Sequence, residues 1–118
     1  MIKNKVVAVD FDGTITDRNC FPDISRLRPH CAEALQTISN QGNKIFLWTC
    51  RTGNTLKEAV NFCLKNGIAL CGINESPYDN VNVGGRKPIA DFYIDDRNMF
   101  AEINWEKIED YFKNASSD

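Results

Sequence analysis

The sequence of 118 residues predicts an α/β fold, a three-layer Rossmann-like parallel sheet with helices on both faces. Two observations carry that expectation. Short apolar runs that read as strands alternate with stretches of helical period, which is the order from which parallel sheets are built. The first run, Lys5 to Asp10, is also continuous and rich in β-branched residues, as a strand covered on both faces requires, and two of the runs close on carboxylates.

The first strand is expected from Lys5 to Asp10, and a loop containing Gly13, Asn19 and Pro22 follows to Arg28. Pro29 opens the first helix, because proline suits the first helical position. Cys31, Ala34, Leu35 and Ile38 fall on one face, and Gly42 stands where a left-handed C-cap is expected. A second strand runs from Lys44 to Thr49. Thr55 and Glu58 form a capping box for the next helix, whose apolar face is Leu56, Ala59, Val60, Cys63 and Leu64, with Gly67 at its end. Ile68 to Ile73 reads as a short third strand, Asn74 to Pro88 as a polar loop, and Asp91 to Asp95 as a fourth strand. Ile103, Trp105, Ile108, Tyr111 and Phe112 mark a terminal amphipathic helix, and Asn114 to Asp118 a frayed tail.

Residues 1–118 are expected to form one domain, because the length suits a single core and leaves no room for a second. Charged residues make up 25% of the chain and the net charge is −2, which argues against a general attraction to nucleic acid or to an anionic membrane. The apolar run Val6–Val9 is far too short for a signal peptide or a membrane span. The five cysteines, Cys20, Cys31, Cys50, Cys63 and Cys71, are odd in number and form no Cys-x-x-Cys pair, so they suggest neither a zinc site nor a closed disulfide framework. A cytoplasmic protein with reduced thiols is the expectation. His30, Trp48 and Trp105 read as ordinary structural residues.

Polar groups stand at or just beyond the strand ends: Asp10 with Asp12, then Thr49, then Lys87, then Asp95 with Asp96. A parallel sheet brings all of them to its carboxyl edge, where ligands bind in such folds. Two sets of carboxylates converging there repel each other unless a cation lies between them. Oxygen-only donors favour a hard ion, and Mg²⁺ is the usual one beside phosphate. With a metal and a lysine to neutralise the phosphate, the Asp10 carboxylate could attack phosphorus and Asp12 could act on the leaving oxygen. Gly13 would let the backbone turn sharply beside the substrate.

Asp10-Phe11-Asp12-Gly13-Thr14 resembles the first motif of the haloacid dehalogenase (HAD) superfamily in its phosphatase branch. Ile45-Phe46-Leu47-Trp48-Thr49 resembles the second, Lys87 in Arg86-Lys87-Pro88 the third, and Phe92-Tyr93-Ile94-Asp95-Asp96 the fourth. The four occur in the family's order. The run from Lys87 to Arg97 is similar to that of a small bacterial and phage subgroup. The resemblance implies a HAD-like hydrolase domain with Asp10 as nucleophile and metal ligand. Asp12 would be the general acid and base, with its backbone carbonyl on the metal. Thr49 and Lys87 would hold the phosphoryl oxygens, and Asp95 and Asp96 would complete the Mg²⁺ site, Asp96 directly. Arg51 or Arg86 could take over the phosphate contact in place of Lys87. The stretches from Thr14 to Thr49 and from Thr49 to Lys87 are each filled by a helix and its loops, so no cap domain fits. Such a site is open, which leaves room for a large substrate or for closure by a second subunit in a homo-oligomer.

The expected function is hydrolysis of a small phosphorylated metabolite, nucleotide or sugar. Two alternatives stand beside it. The run Ile94-Asp95-Asp96-Arg97 resembles the phosphatase domains of polynucleotide kinase–phosphatases, which would make the substrate a nucleic-acid end. A receiver-like signalling module phosphorylated on aspartate also combines an acidic pair, a Thr and a Lys-Pro. Its acceptor, however, lies on a middle strand, and here the second strand ends on Thr49 itself.

Overall fold

The computed structural model describes residues 1–75, 77 and 89–116. Among these residues seven elements follow one another: β1 (Val6–Val9), α1 (Cys31–Asn40), β2 (Lys44–Leu47), α2 (Gly53–Lys65), β3 (Gly72–Ile73), β4 (Phe92–Ile94) and α3 (Trp105–Asn114). The four strands form one all-parallel sheet in the order β3-β2-β1-β4. This is the Rossmann-like α/β architecture expected from the sequence.

The order explains where a site can form. From β1 the chain moves to β2 and β3 on one side, while β4 pairs on the other side of β1. The connections reverse direction there, and the crevice beyond the strand ends opens at that point. The two βαβ units travel in the same direction across the sheet, so right-handed crossovers put α1 and α2 on the same face. Val7, Val9, Ile45 and Leu47 supply that face. They join one core cluster with Ala34, Leu35 and Ile38 of α1, Ala59 and Cys63 of α2, and Trp105 and Phe112 of α3. The alternate positions Val6, Ala8 and Phe46 are buried as well, so the sheet is covered on both sides.

Every strand is shorter than the apolar runs suggested. The ladder nevertheless reaches one residue further: the Asp10 N–H donates to the Ile94 carbonyl at 3.0 Å, Trp48 to Val9 at 3.0 Å and Asn74 to Leu47 at 2.7 Å. Ile68 to Leu70 lies outside the sheet; Gly72 and Ile73 pair with β2, and the Cys71 N–H donates to the Ile45 carbonyl at 2.7 Å.

Helix starts differ from the expectation too. His30 takes the left-handed conformation at φ 66° and caps α1, which places Pro29 before the helix. Thr55 is no cap. The N-cap is Thr52, in extended conformation, and the Thr55 hydroxyl donates to the Thr52 carbonyl at 2.7 Å from inside the first turn. Leu64, placed on the apolar face by periodicity, is 64% exposed. Phe62 packs inward instead, with its ring edge-on to Phe11 at 5.7 Å. In α3, Trp105 and Phe112 are buried while Tyr111 is 54% exposed, and the Asn104 side chain caps the helix by accepting from the Lys107 N–H. All five cysteines are free. Among the described residues, no helix is long and apolar enough to cross a membrane.

Candidate active site

Asp10 is the first residue beyond β1, and Asp95 and Asp96 are the first two beyond the neighbouring β4. Because the two strands are parallel and adjacent, the acids arrive at the same edge. Asp10, Asp95 and Asp96 each place a carboxylate oxygen within 4.8 Å of the others. Burial raises the Asp10 carboxyl to about 7, and the negative charge of Asp95 adds to the rise.

The loop between Asp10 and Thr16 is built to make this approach. Gly13 sits at φ +84°, a conformation that favours glycine, and a Cβ there would collide with the Asp96 carboxylate. The Gly13 N–H donates to Thr16 Oγ1 at 3.0 Å, and its carbonyl accepts from Arg28 Nε and Nη2 at 3.2 and 2.7 Å. Thr14 bridges the acids: its hydroxyl lies 3.2 Å from both Asp10 Oδ2 and Asp96 Oδ1 and accepts from the Asp96 N–H at 3.0 Å. The Thr14 carbonyl in turn receives the Trp105 Nε1–H at 3.0 Å, which ties the loop to the core. Sequence reasoning gave Thr14 and Arg28 no role. Thr14 stood in plain view within the five-residue motif, whereas nothing in the sequence pairs Arg28 with Gly13.

Asp12 goes elsewhere. Its carboxylate is not in the acidic cluster but faces Arg51, with Arg51 Nε to Oδ2 and Nη2 to Oδ1 both at 2.8 Å. Arg51 is 1% exposed. Its remaining N–H groups donate to the carbonyls of Pro22, Thr55 and Asp23 at 3.1, 3.3 and 2.8 Å. The expectation that Arg51 binds phosphate is therefore corrected: all five N–H donors of the guanidinium are engaged within the protein. The expectation that Asp12 belongs to the metal site can hold only for its backbone carbonyl.

Thr49 lies two residues beyond β2. Its N–H donates to Asn74 Oδ1 at 2.8 Å, and its hydroxyl oxygen accepts from the Arg51 N–H at 3.2 Å, which leaves its own O–H hydrogen to donate. Asn74, the residue just beyond β3, thus shapes the Thr49 turn. Lys87 and Arg86 lie outside the described residues. Asp10, Asp12, Trp48, Thr49, Arg51 and Asp95 share a cavity of about 470 Å³, so Trp48 borders the candidate site rather than serving only the core.

A solved structure of a conserved protein coded by a locus from Bacteroides thetaiotaomicron superposes on this chain with a TM-score of 0.82. The two sequences are 32% identical, over 92% of this chain and 89% of the other. The chain belongs to the same family as that protein. No family model matches the chain, and no curated protein does.

Proposed function

We propose that this protein is a Mg²⁺-dependent phosphomonoester hydrolase working through an aspartyl-phosphate on Asp10, as its resemblance to the HAD superfamily implies. The observation that carries the reading is the convergence of Asp10 with Asp95 and Asp96, acids far apart in the chain, onto one edge of the sheet. Like charges gathered at that distance are costly without a counter-ion.

The donor set fits Mg²⁺. It consists of oxygens alone, from three carboxylates that lie within 4.8 Å of one another, and hard oxygen donors suit Mg²⁺. Asp10, Asp96 and the Asp12 carbonyl would hold the ion directly, with Asp95 alongside. When bound, it neutralises phosphate charge and aligns the phosphoryl group.

In the first half-reaction an Asp10 oxygen attacks phosphorus as the bond to the ester oxygen breaks, and that oxygen takes a proton from Asp12. In the second, Asp12 takes a proton from a water that attacks phosphorus. The Asp10–phosphorus bond breaks, phosphate leaves, and both carboxyl groups return to their starting states. Each Asp12 oxygen keeps a lone pair beyond its bond to Arg51, so the pairing leaves Asp12 able to exchange protons. The Thr49 hydroxyl and Lys87 would hold the phosphoryl oxygens.

The test is a panel of phosphate esters that includes nucleotides, sugar phosphates and a 3′-phosphorylated oligonucleotide, each assayed with and without Mg²⁺. Asp10→Asn keeps the shape of the side chain but removes the attacking group. It should fold and lose turnover by at least about 10³-fold, because residues of a covalent mechanism act as a unit. Turnover surviving in D10N rejects the covalent mechanism.

A further inference from the structure

The proposed reaction needs Asp12 beside the ester oxygen in the first half-reaction and beside the attacking water in the second, and the surroundings of Asp12 show what keeps it there. Its carboxylate is 12% exposed and both of its oxygens accept from one buried guanidinium. That guanidinium lies between two rings, with its carbon 5.2 Å from the Phe11 centroid and 5.1 Å from the Phe21 centroid. Three carbonyls from two other segments take its remaining hydrogens: Pro22 and Asp23 in the flap after the first motif, and Thr55 in the first turn of α2. A planar fork with five fixed donors holds a carboxylate in one orientation far better than a flexible ammonium does.

We infer that Arg51 is a positioning residue for the general acid: it aims the Asp12 carboxylate at the leaving-group oxygen and clamps the Phe21–Asp23 flap beside it, rather than binding the phosphate. The inference rests on the function proposed above. It differs from a purely structural role in one chemical respect. In the first half-reaction, which kcat/KM reports, a misdirected general acid harms esters whose leaving oxygen must be protonated and spares esters whose leaving group departs as a stable anion.

The experiment compares wild type, Arg51→Lys and Arg51→Met on an alkyl phosphate and on para-nitrophenyl phosphate, with competitive inhibition by inorganic phosphate measured alongside. R51M should lose about 10²-fold or more in kcat/KM on the alkyl ester but about 10-fold or less on the nitrophenyl ester, within the range general acids supply. R51K should fall between wild type and R51M. KM and the phosphate inhibition constant should stay within about 3-fold for both variants, because the phosphate contacts are intact. Equal losses on the two esters would make Arg51 merely structural and overturn the inference. A rise in KM and in the phosphate inhibition constant, with kcat kept, would make it a phosphate ligand and also overturn it. If R51M does not fold, R51K alone carries the test, since its kcat/KM ratio between the two esters must still shift in the same direction. A wild-type protein with no Mg²⁺-dependent turnover rejects the parent reading and this one with it, whereas with an active wild type the two ester ratios decide the role of Arg51 alone.

Discussion

Asp10 and Asp12 are two residues apart, on one loop, and their electrostatic situations are opposite. Asp10 looks toward β4 and meets two more carboxylates, and burial with that negative neighbour pushes its carboxyl up to about 7. Asp12 looks toward the flap and meets a permanent cation whose every donor is used. One side of the loop is a cluster of carboxylates, the other a single carboxyl group held by a buried guanidinium. The difference teaches how one short motif can supply two chemical roles: the first centre is left incomplete for a ligand, and the second is completed by the protein itself.

The comparison can be broken most directly at Gly13, the residue that lets the acids meet. Gly13→Ala places a side chain at φ +84° against the Asp96 carboxylate. Left-handed strain alone costs about 1–2 kcal/mol, and the collision adds to it. The expected outcome is a Tm lowered by several degrees together with loss of any Mg²⁺-dependent stabilisation, read by thermal unfolding with and without the ion. A G13A protein as stable and as Mg²⁺-responsive as wild type would separate the loop from the cluster.

Metal addition sharpens the contrast further. An ion that binds only the folded state stabilises it by about 2.7 kcal/mol at one hundred times its Kd. Mg²⁺ should therefore raise the wild-type Tm, and Asp96→Asn should abolish most of the rise. R51K should keep that rise, because Arg51 serves the other side of the loop. Titration calorimetry of the three proteins checks the same ordering.

Thr14→Val tests the bridge inside the cluster. The change keeps the shape of the side chain but removes the hydroxyl that lies against Asp10, Asp96 and the Asp96 N–H. A loss of about 1–3 kcal/mol by denaturant unfolding is expected from the stranded N–H, with Mg²⁺ binding weakened as well.

The smallest effect is expected at an ion pair remote from both centres. His30 Nε2 lies 2.8 Å from Glu109 Oε1, and Thr37 donates to the other Glu109 oxygen at 2.6 Å, joining α1 to α3. The hydrogen bond to Glu109 raises His30 above its ordinary 6.5, and those from Thr37 and His30 lower Glu109 below its ordinary 4.5. A raised His contributes stability that is complete below 6.5 and is lost as pH climbs through its folded value. A lowered Glu contributes stability that is complete above 4.5 and is lost as pH falls through its folded value. His30→Gln should thus cost most between about pH 4.5 and 6.5 and progressively less above it. The pair is half-buried and still reached by solvent, which screens it, so a Tm difference of roughly 1–3 °C is expected at the plateau. A difference that does not vary with pH would show that packing, not charge, joins the helices there.

Much of the site could be read directly from the chain. Carboxylates closing apolar runs announced Asp10 and the Asp95–Asp96 pair, because a parallel sheet delivers its strand ends to one edge. Thr49 followed from the same logic. The partner of Asp12 could not be read. Arg51 stood two residues after Thr49 as a free cation in appearance, and its five acceptors come from the first motif, the flap and the first turn of α2. Element ends were equally hidden, since His30 and Thr52, rather than Pro29 and Thr55, cap the helices for reasons of backbone path. Leu64 fits the period of α2 yet faces outward, while Phe62 turns its ring to Phe11 in the loop beyond β1.

The sequence by itself determined the fold class, the alternation of strand and helix, and which acids would stand at strand ends, because these depend on local periodicity and on the direction of parallel strands. Only the tertiary structure decided that β4 lies beside β1, that Thr14 bridges two acids, and that Arg51 turns to Asp12. Those outcomes depend on which distant groups compete for each donor and acceptor, and that competition is settled only when the chain has closed around them.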